Sequence, residues 1–192
     1  MKNRKIIYEM SLLAILIALL WMLDLTGIGY IPTGPGLTIT LLVFPVAIAA
    51  ICLKEKGGII LGLMFGLTSY LTAVQGKDPV GAVLFEQQPI ALAIVCIGSR
   101  ILMGLGVALL YRLLNKYIKQ DIISITIASI SGTFLNTLFF LTFFWAFFNN
   151  QDNLFKIIIG AMTVNFLIEL VVNSVISIAL SKVIYMFKKR MA

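Results

Sequence analysis

The chain has 192 residues, of which 60% are hydrophobic and only 12% are charged, and its mean hydropathy is +1.05. A soluble domain of this length could not cover its surface with polar groups at that composition, so we predict an integral membrane protein. The net charge of +7 could indicate a nucleic-acid partner. The basic residues, however, lie between and beyond long apolar runs, as membrane topology requires, and we expect no nucleic acid.

The chain is expected to form an all-α membrane protein, a compact bundle of six transmembrane helices in a single domain over residues 1–192. A Pro/Gly-rich run at 29–36 follows the first helix and is predicted to be a loop. A tight turn at 54–56 and a longer connection at 76–89 flank the third helix. The last segment is over-long, so it is tilted or extends beyond the bilayer. The helices are predicted at about 6–28, 37–53, 57–74, 90–114, 122–148 and 154–187.

The distribution of Lys and Arg predicts the orientation in the membrane. One side would carry both termini and the basic turns near 54–56 and 112–119, whereas the other would carry only Lys77 and Lys156. Both termini are therefore expected in the cytoplasm, and the chain is expected in the plasma membrane as a multi-pass protein. No phosphate-binding Gly-rich loop ending in Lys-Ser/Thr occurs, so another subunit would have to supply energy for active transport.

Metal chemistry is not expected. Cys52 and Cys96 each lie inside an apolar run, and the chain has no histidine. A Cys/His metal site is therefore disfavoured, and we predict neither a metal nor a cofactor.

Three ionisable residues lie within predicted spans, where an ionisable side chain is costly and indicates function. They are Asp24, Arg100 and Glu169. Arg100 and Glu169 could pair with each other, or each could contact a ligand. A planar guanidinium suits a carboxylate, so Arg100 is the candidate anion-binding group.

Polar side chains recur at helical spacing on the last two predicted helices. Such stripes would be unsatisfied in lipid and must face the bundle, where they hold helices together or contact a ligand. For Asn136 and Asn165, nearer the outer half, a ligand contact is favoured. The stripes consist of Ser129, Thr133, Asn136 and Thr137, and of Asn165, Glu169 and Asn173.

Small residues also recur every four positions. Gly58, Gly62 and Gly66 do so on the third predicted helix and Gly104 and Ala108 on the fourth, which indicates close helix packing.

Several of these segments, in this order, resemble the substrate-binding S-components of energy-coupling factor (ECF) vitamin transporters. The resemblance covers nearly the whole chain and is most similar to the pantothenate-type branch. In that branch a His often precedes the Pro of the second helix, whereas Phe44 precedes Pro45 here. The segments are Ala14-Ile-Leu-Ile-Ala18, Ile31-Pro32-Thr33-Gly34-Pro35-Gly36, residues 42–50 and 57–69, Ser99-Arg100-Ile-Leu-Met-Gly104, Asn136-Thr137 and Asn165-x-x-x-Glu169.

The resemblance implies a binding subunit rather than an enzyme. It would capture a vitamin from outside, with pantothenate favoured over riboflavin, hydroxymethylpyrimidine, pyridoxine or folate. Through Ala14 and Ala18 it would dock on a transmembrane coupling subunit that works with two ABC ATPases. Arg100 would hold the carboxylate, and Asn136, Asn165 and Glu169 would hydrogen-bond the rest of the ligand. The residues expected to line or close the mouth are Tyr30, Thr33, Thr38 and Gln87.

Two other classes of protein are possible from the residues alone. An intramembrane hydrolase could use Asp24 and Glu169 as its acids, although they lie at different depths. A stand-alone channel or small exporter is the other alternative, but the polar residues gather in the outer half of the bundle.

Overall fold

The computed structural model describes residues 2–34, 37–118, 120–148 and 152–191, with side chains for all of these except 2, 32–34, 37–39, 79, 152–159, 161, 162, 164, 190 and 191. Within these residues the chain folds mainly into helices, with one small hairpin after the first. The elements are α1 (Lys2–Leu25), β1 (Tyr30–Gly34), β2 (Leu37–Thr40), α2 (Val43–Cys52), α3 (Lys54–Val74), α4 (Pro79–Gln87), α5 (Pro89–Tyr117), α6 (Asp121–Phe148) and α7 (Asp152–Met191).

Five helices in the described part of the chain are long and apolar enough to cross a membrane, which confirms an all-α membrane protein. They are α1, α3, α5, α6 and the Asn165–Lys189 part of α7. The remaining predicted helix, the second one at 37–53, corresponds to α2, which has ten residues. A helix of that length is only ~15 Å long and does not span a ~30 Å hydrocarbon core. The count of six spans and the cytoplasmic termini therefore stay predictions.

The second predicted helix was placed too early in the chain. Residues 37–40 form β2, which pairs antiparallel with β1 so that Tyr30 lies opposite Thr40. Two threonines and an isoleucine in this segment favour an extended backbone. Pairing with β1 also gives the backbone groups of this segment hydrogen-bond partners that they would lack in the first turn of a helix. The helix begins only at Val43.

Two connections also differ from the prediction. The predicted turn at 54–56 is already helical, because the chain reverses at a single residue, Lys54, whose φ of 61° lies in the left-handed region. The 76–89 connection contains the short helix α4. Its N-cap is Asp78, whose carboxylate accepts a hydrogen bond from the Val80 N–H at 3.2 Å.

The helices α3 and α5 meet backbone to backbone along the glycine stripe. A Cβ atom on Gly58 would overlap the carbonyl of Gly104, and one on Gly62 would overlap the carbonyl of Arg100. The predicted close packing of small residues is thereby confirmed. This contact fixes the backbone of α5 at Arg100, so it also positions the candidate anion-binding group.

One end of the bundle gathers ionic contacts. Arg112 near the end of α5 pairs with Glu55 at the start of α3 at 2.7 Å, and Lys188 of α7 pairs with Asp121 of α6 at 3.2 Å. These contacts bring the basic ends of α5 and α7 to the same end of the bundle as the α2–α3 junction. The candidate ligand-binding residues lie toward the opposite end.

Candidate ligand-binding site

Arg100 is a buried cation held between two aromatic rings. Its guanidinium carbon lies 4.7 Å from the ring centroid of Phe140 on α6 and 5.3 Å from that of Phe65 on α3. One terminal nitrogen donates to the Ser99 hydroxyl at 2.8 Å. The rings attract the cation without using its N–H donors.

The alternative in which Arg100 pairs with Glu169 is not observed. Among the described residues no ion pair within 4.0 Å joins them, and the Arg100 Nε has no hydrogen-bond partner. The two groups are nevertheless close enough to interact electrostatically. An unused, buried guanidinium donor is costly unless an acceptor meets it, and an anionic ligand would do so.

Tyr30 brings the start of the hairpin to the same place. Its hydroxyl is buried near Thr68 and Ser69 of α3, and it lies within electrostatic reach of Arg100. Burial raises the pKa of Tyr30 to about 12 against the opposing effect of Arg100. The hydroxyl therefore stays protonated at neutral pH and is a neutral donor beside the cation.

Glu169 of α7 is 3% exposed and holds the end of the hairpin. Its Oε1 accepts a hydrogen bond from the backbone N–H of Thr40 at 2.8 Å. The Thr40 side chain also interacts with this carboxylate, and a carboxylate can accept hydrogen bonds on both of its oxygens. The contact joins segments that lie 129 residues apart in sequence and sets β2 against α7.

Further polar side chains continue along the contact between α6 and α7. The Asn173 amide donates to the Thr133 hydroxyl at 2.8 Å, which fixes the register of the two helices. Asn136 lies one turn from Thr133 toward Glu169, and its Oδ1 has no hydrogen-bond partner among the described residues. We call this set of buried side chains the α6–α7 polar seam, and it consists of Ser129, Thr133, Asn136, Glu169, Asn173 and Ser177.

The other predicted site residues are dispersed. Asn165 is half-buried on α7, one turn from Glu169, and makes contacts there. Gln87 is exposed at the end of α4 and also has an interaction partner. The side chains of Thr33 and Thr38 lie outside the described residues, although their backbones belong to the hairpin.

The two predicted docking residues and the third ionisable residue lie on α1. Ala14 and Ala18 are both exposed on this helix. Asp24 interacts with Thr72 and, electrostatically, with Lys77, so its partners differ from those of Glu169. No paired-acid arrangement of Asp24 with Glu169 is found among the described residues.

Sequence reasoning did not find Phe65, Phe140 or Thr40. Phe65 lies within the glycine stripe that packs against Arg100, so the spacing could have indicated it once the register of α3 and α5 was known. Phe140 is one of several phenylalanines on α6, and nothing in the pattern distinguishes it. Thr40 contacts Glu169 mainly through its backbone amide, for which the residue type carries no signal.

Together these groups can recognise a small polar molecule with one negative end. A buried cation with free donors suits a carboxylate, and the amide and carboxylate oxygens across the site suit hydroxyl or amide N–H groups. Among the described residues no cluster of three or more His, Cys, Asp and Glu side chains could hold a metal ion. The groups that are present bind by hydrogen bonds and charge.

Comparison with protein families identifies the class. Residues 9–181 match the family model of the ECF transporter, substrate-specific component, and the chain belongs to this family. A curated relative, the pantothenic acid transporter PanT of Lactococcus lactis subsp. cremoris (strain MG1363), is 28% identical over 188 residues, which cover 90% of this chain and 91% of the relative.

Family membership agrees with the fold and with the resemblance found in the sequence. The chain is a substrate-specific subunit of an ECF transporter and a multi-pass protein of the plasma membrane. Members of this family are substrate-binding rather than catalytic subunits, and membership implies association with ECF coupling and ATPase modules.

Proposed function

We propose that this protein captures pantothenate outside the cell and delivers it to an ECF-type importer. The observation that carries the proposal is Arg100, a buried guanidinium held between Phe65 and Phe140 with an unused Nε donor. The similarity to a pantothenic acid transporter over 90% of the chain supports the choice of vitamin.

Pantothenate has a carboxylate, a central amide and two hydroxyl groups, and the site offers a partner for each. Arg100 binds the carboxylate, with the Tyr30 hydroxyl beside it. Asn136 and the Glu169 carboxylate accept hydrogen bonds from hydroxyl or amide groups, together with Asn165 on the same face of α7. The resemblance to the S-components further implies that Thr33, Thr38 and Gln87 line or close the mouth of the site.

Binding measurements on purified protein in detergent test both the ligand and the role of Arg100. We expect tight binding of pantothenate, and a loss of about 100-fold for Arg100→Gln, since removing one partner of a buried charge pair costs a few kcal/mol. The matched control is Arg112→Gln, because Arg112 is largely exposed and pairs with Glu55 at the opposite end of the bundle.

Other outcomes would redirect the proposal. Tight binding of riboflavin alone, or of hydroxymethylpyrimidine, pyridoxine or folate, would replace the vitamin while keeping the class of subunit. Pantothenate binding that is unchanged in Arg100→Gln would exclude the carboxylate role of Arg100. Flux through proteoliposomes that contain this chain alone would favour a channel or exporter.

For delivery we propose that α1 docks on a transmembrane coupling subunit that works with two ABC ATPases. Ala14 and Ala18 are exposed on α1, so they offer a partner helix a surface on which it can approach closely. The variant Ala14→Leu/Ala18→Leu is expected to keep ligand binding and to abolish complex formation and uptake. A matched control is Val171→Leu/Val175→Leu, at two exposed positions on α7. Uptake that persists in the alanine variant would place the docking surface elsewhere.

A further inference from the structure

The α6–α7 polar seam extends beyond the candidate ligand-binding site toward the basic end of the bundle. The contacts Thr133–Asn173 and Asp121–Lys188 show that α6 and α7 run antiparallel, and the first contact places Thr133 and Asn173 at the same level. Ser129 lies four residues before Thr133, and Ser177 lies four residues after Asn173. Both serines therefore lie about one helical turn (~5.4 Å) farther from Glu169 than Thr133 and Asn173 do.

The hydroxyls at this level differ from most others in the helices. A serine or threonine within a helix commonly donates to the carbonyl three or four residues earlier. On the same two helices Ser131 does so to Ala128 and Ser174 does so to Leu170. The hydroxyls of Ser129 and Ser177 make no such bond and have no partner among the described residues, although they are 2% and 0% exposed.

A third polar atom without a partner lies one turn from the two serines. The Asn173 amide nitrogen is used by Thr133, but its Oδ1 has no hydrogen-bond partner in the described part of the chain. Asn173 is 1% exposed, so neither lipid headgroups nor bulk solvent can reach it. Three buried polar atoms from two helices thus lack protein partners within one helical turn.

We propose that Ser129, Asn173 and Ser177 hold one or two internal water molecules that bridge α6 to α7. Buried water is found where two to four polar groups converge without other partners, and it satisfies both donors and acceptors. The three groups are neutral, and Glu169, the nearest carboxylate of the seam, lies a turn away and binds Thr40. Water therefore suits this set better than a cation does.

The bridge would set the spacing of α6 and α7 directly beneath Asn136 and Glu169. The hydrated site itself is a property of the chain without ligand, so it does not depend on the proposed function or on the identity of the vitamin.

Thermal unfolding of the full chain in detergent, without ligand, tests the proposal. We expect Ser129→Ala and Ser177→Ala each to lower the unfolding temperature by about 2–4 °C, the shift expected for a modest loss of stability in a chain of this size. Since both serines would hold the same water, the double variant is expected to lose little more than either single variant. The matched controls Ser131→Ala and Ser174→Ala remove hydroxyls bonded within their own helix, and they are expected to lower the unfolding temperature less.

Two further measurements decide what occupies the site. A high-resolution structure is expected to show density within hydrogen-bond distance of Ser129 Oγ, Asn173 Oδ1 and Ser177 Oγ, and to lose it in Ser129→Ala. A direct Ser129–Ser177 hydrogen bond with no such density would overturn the proposal, as would additive effects of the two serine variants. An unfolding temperature that rises in sodium chloride relative to choline chloride, only when Ser129 is present, would indicate a cation and overturn it too.

Discussion

The contacts of α3 with α5 and of α6 with α7 hold the bundle by opposite means. Along α3 and α5, Gly58, Gly62 and Gly104 bring two backbones into direct contact and leave no room for a side chain. Along α6 and α7, polar side chains separate the helices, and several of their atoms lack protein partners. The first contact fixes the position of Arg100, and the second supplies hydrogen-bonding groups across from it. Neighbouring helix pairs thus provide a close backbone contact on one side of Arg100 and the α6–α7 polar seam on the other.

The largest effect is expected where the two backbones meet. Gly104→Leu would force a side chain into the carbonyl of Gly58, which cannot move without separating α3 from α5. We expect a loss of at least about 4 kcal/mol in the free energy of unfolding, visible as a collapse in the yield of monodisperse protein. Gly160→Leu is the control, because nothing lies within 4 Å of a Cβ atom at that position. Equal yields from both variants would contradict the close contact.

A smaller effect is expected from a substitution in the α6–α7 polar seam. Glu169→Ala removes the acceptor of the Thr40 N–H, and leaving that amide unmet costs about 1–3 kcal/mol. We expect faster hydrogen exchange of the Thr40 amide in the ligand-free protein, measured by mass spectrometry. Glu169→Gln keeps an amide oxygen at the same place and serves as the control. Unchanged exchange in Glu169→Ala would show that the bond does not hold the hairpin.

The smallest effect concerns the ring that joins the two regions. Phe140 of α6 faces the guanidinium of Arg100, and a cation–π contact of this kind contributes about 1 kcal/mol. Phe140→Leu is therefore expected to weaken pantothenate binding about 5- to 10-fold by reorienting Arg100. Phe134→Leu, at an exposed position one to two turns away on the same helix, is the control. Equal losses in both variants would mean that the ring acts only through general packing.

Local composition was enough to predict much of the fold. Long apolar runs gave five of the spanning helices to within a few residues at most ends, because an apolar helix needs no partner to satisfy its backbone. The 37–40 segment was assigned wrongly, because its apolar and threonine residues suit either a helix end or a strand. Pairing with Tyr30 and its neighbours decided the strand, and that pairing depends on chain outside the segment.

The candidate site divides in the same way. An ionisable side chain inside a membrane-spanning helix is costly wherever that helix packs, so the sequence by itself indicated that Arg100 and Glu169 are functional candidates. The order of the quoted segments was enough to find the resemblance to the S-component family. The sequence also determined the small-residue stripe, because only glycine lets two backbones touch. Whether Arg100 pairs with Glu169 was open, since helix spacing does not specify which faces of distant helices meet. Only the tertiary structure decided that aromatic rings hold Arg100 and that Thr40 occupies one oxygen of Glu169. Both contacts join residues far apart in sequence, and such contacts exist only once the helices have packed.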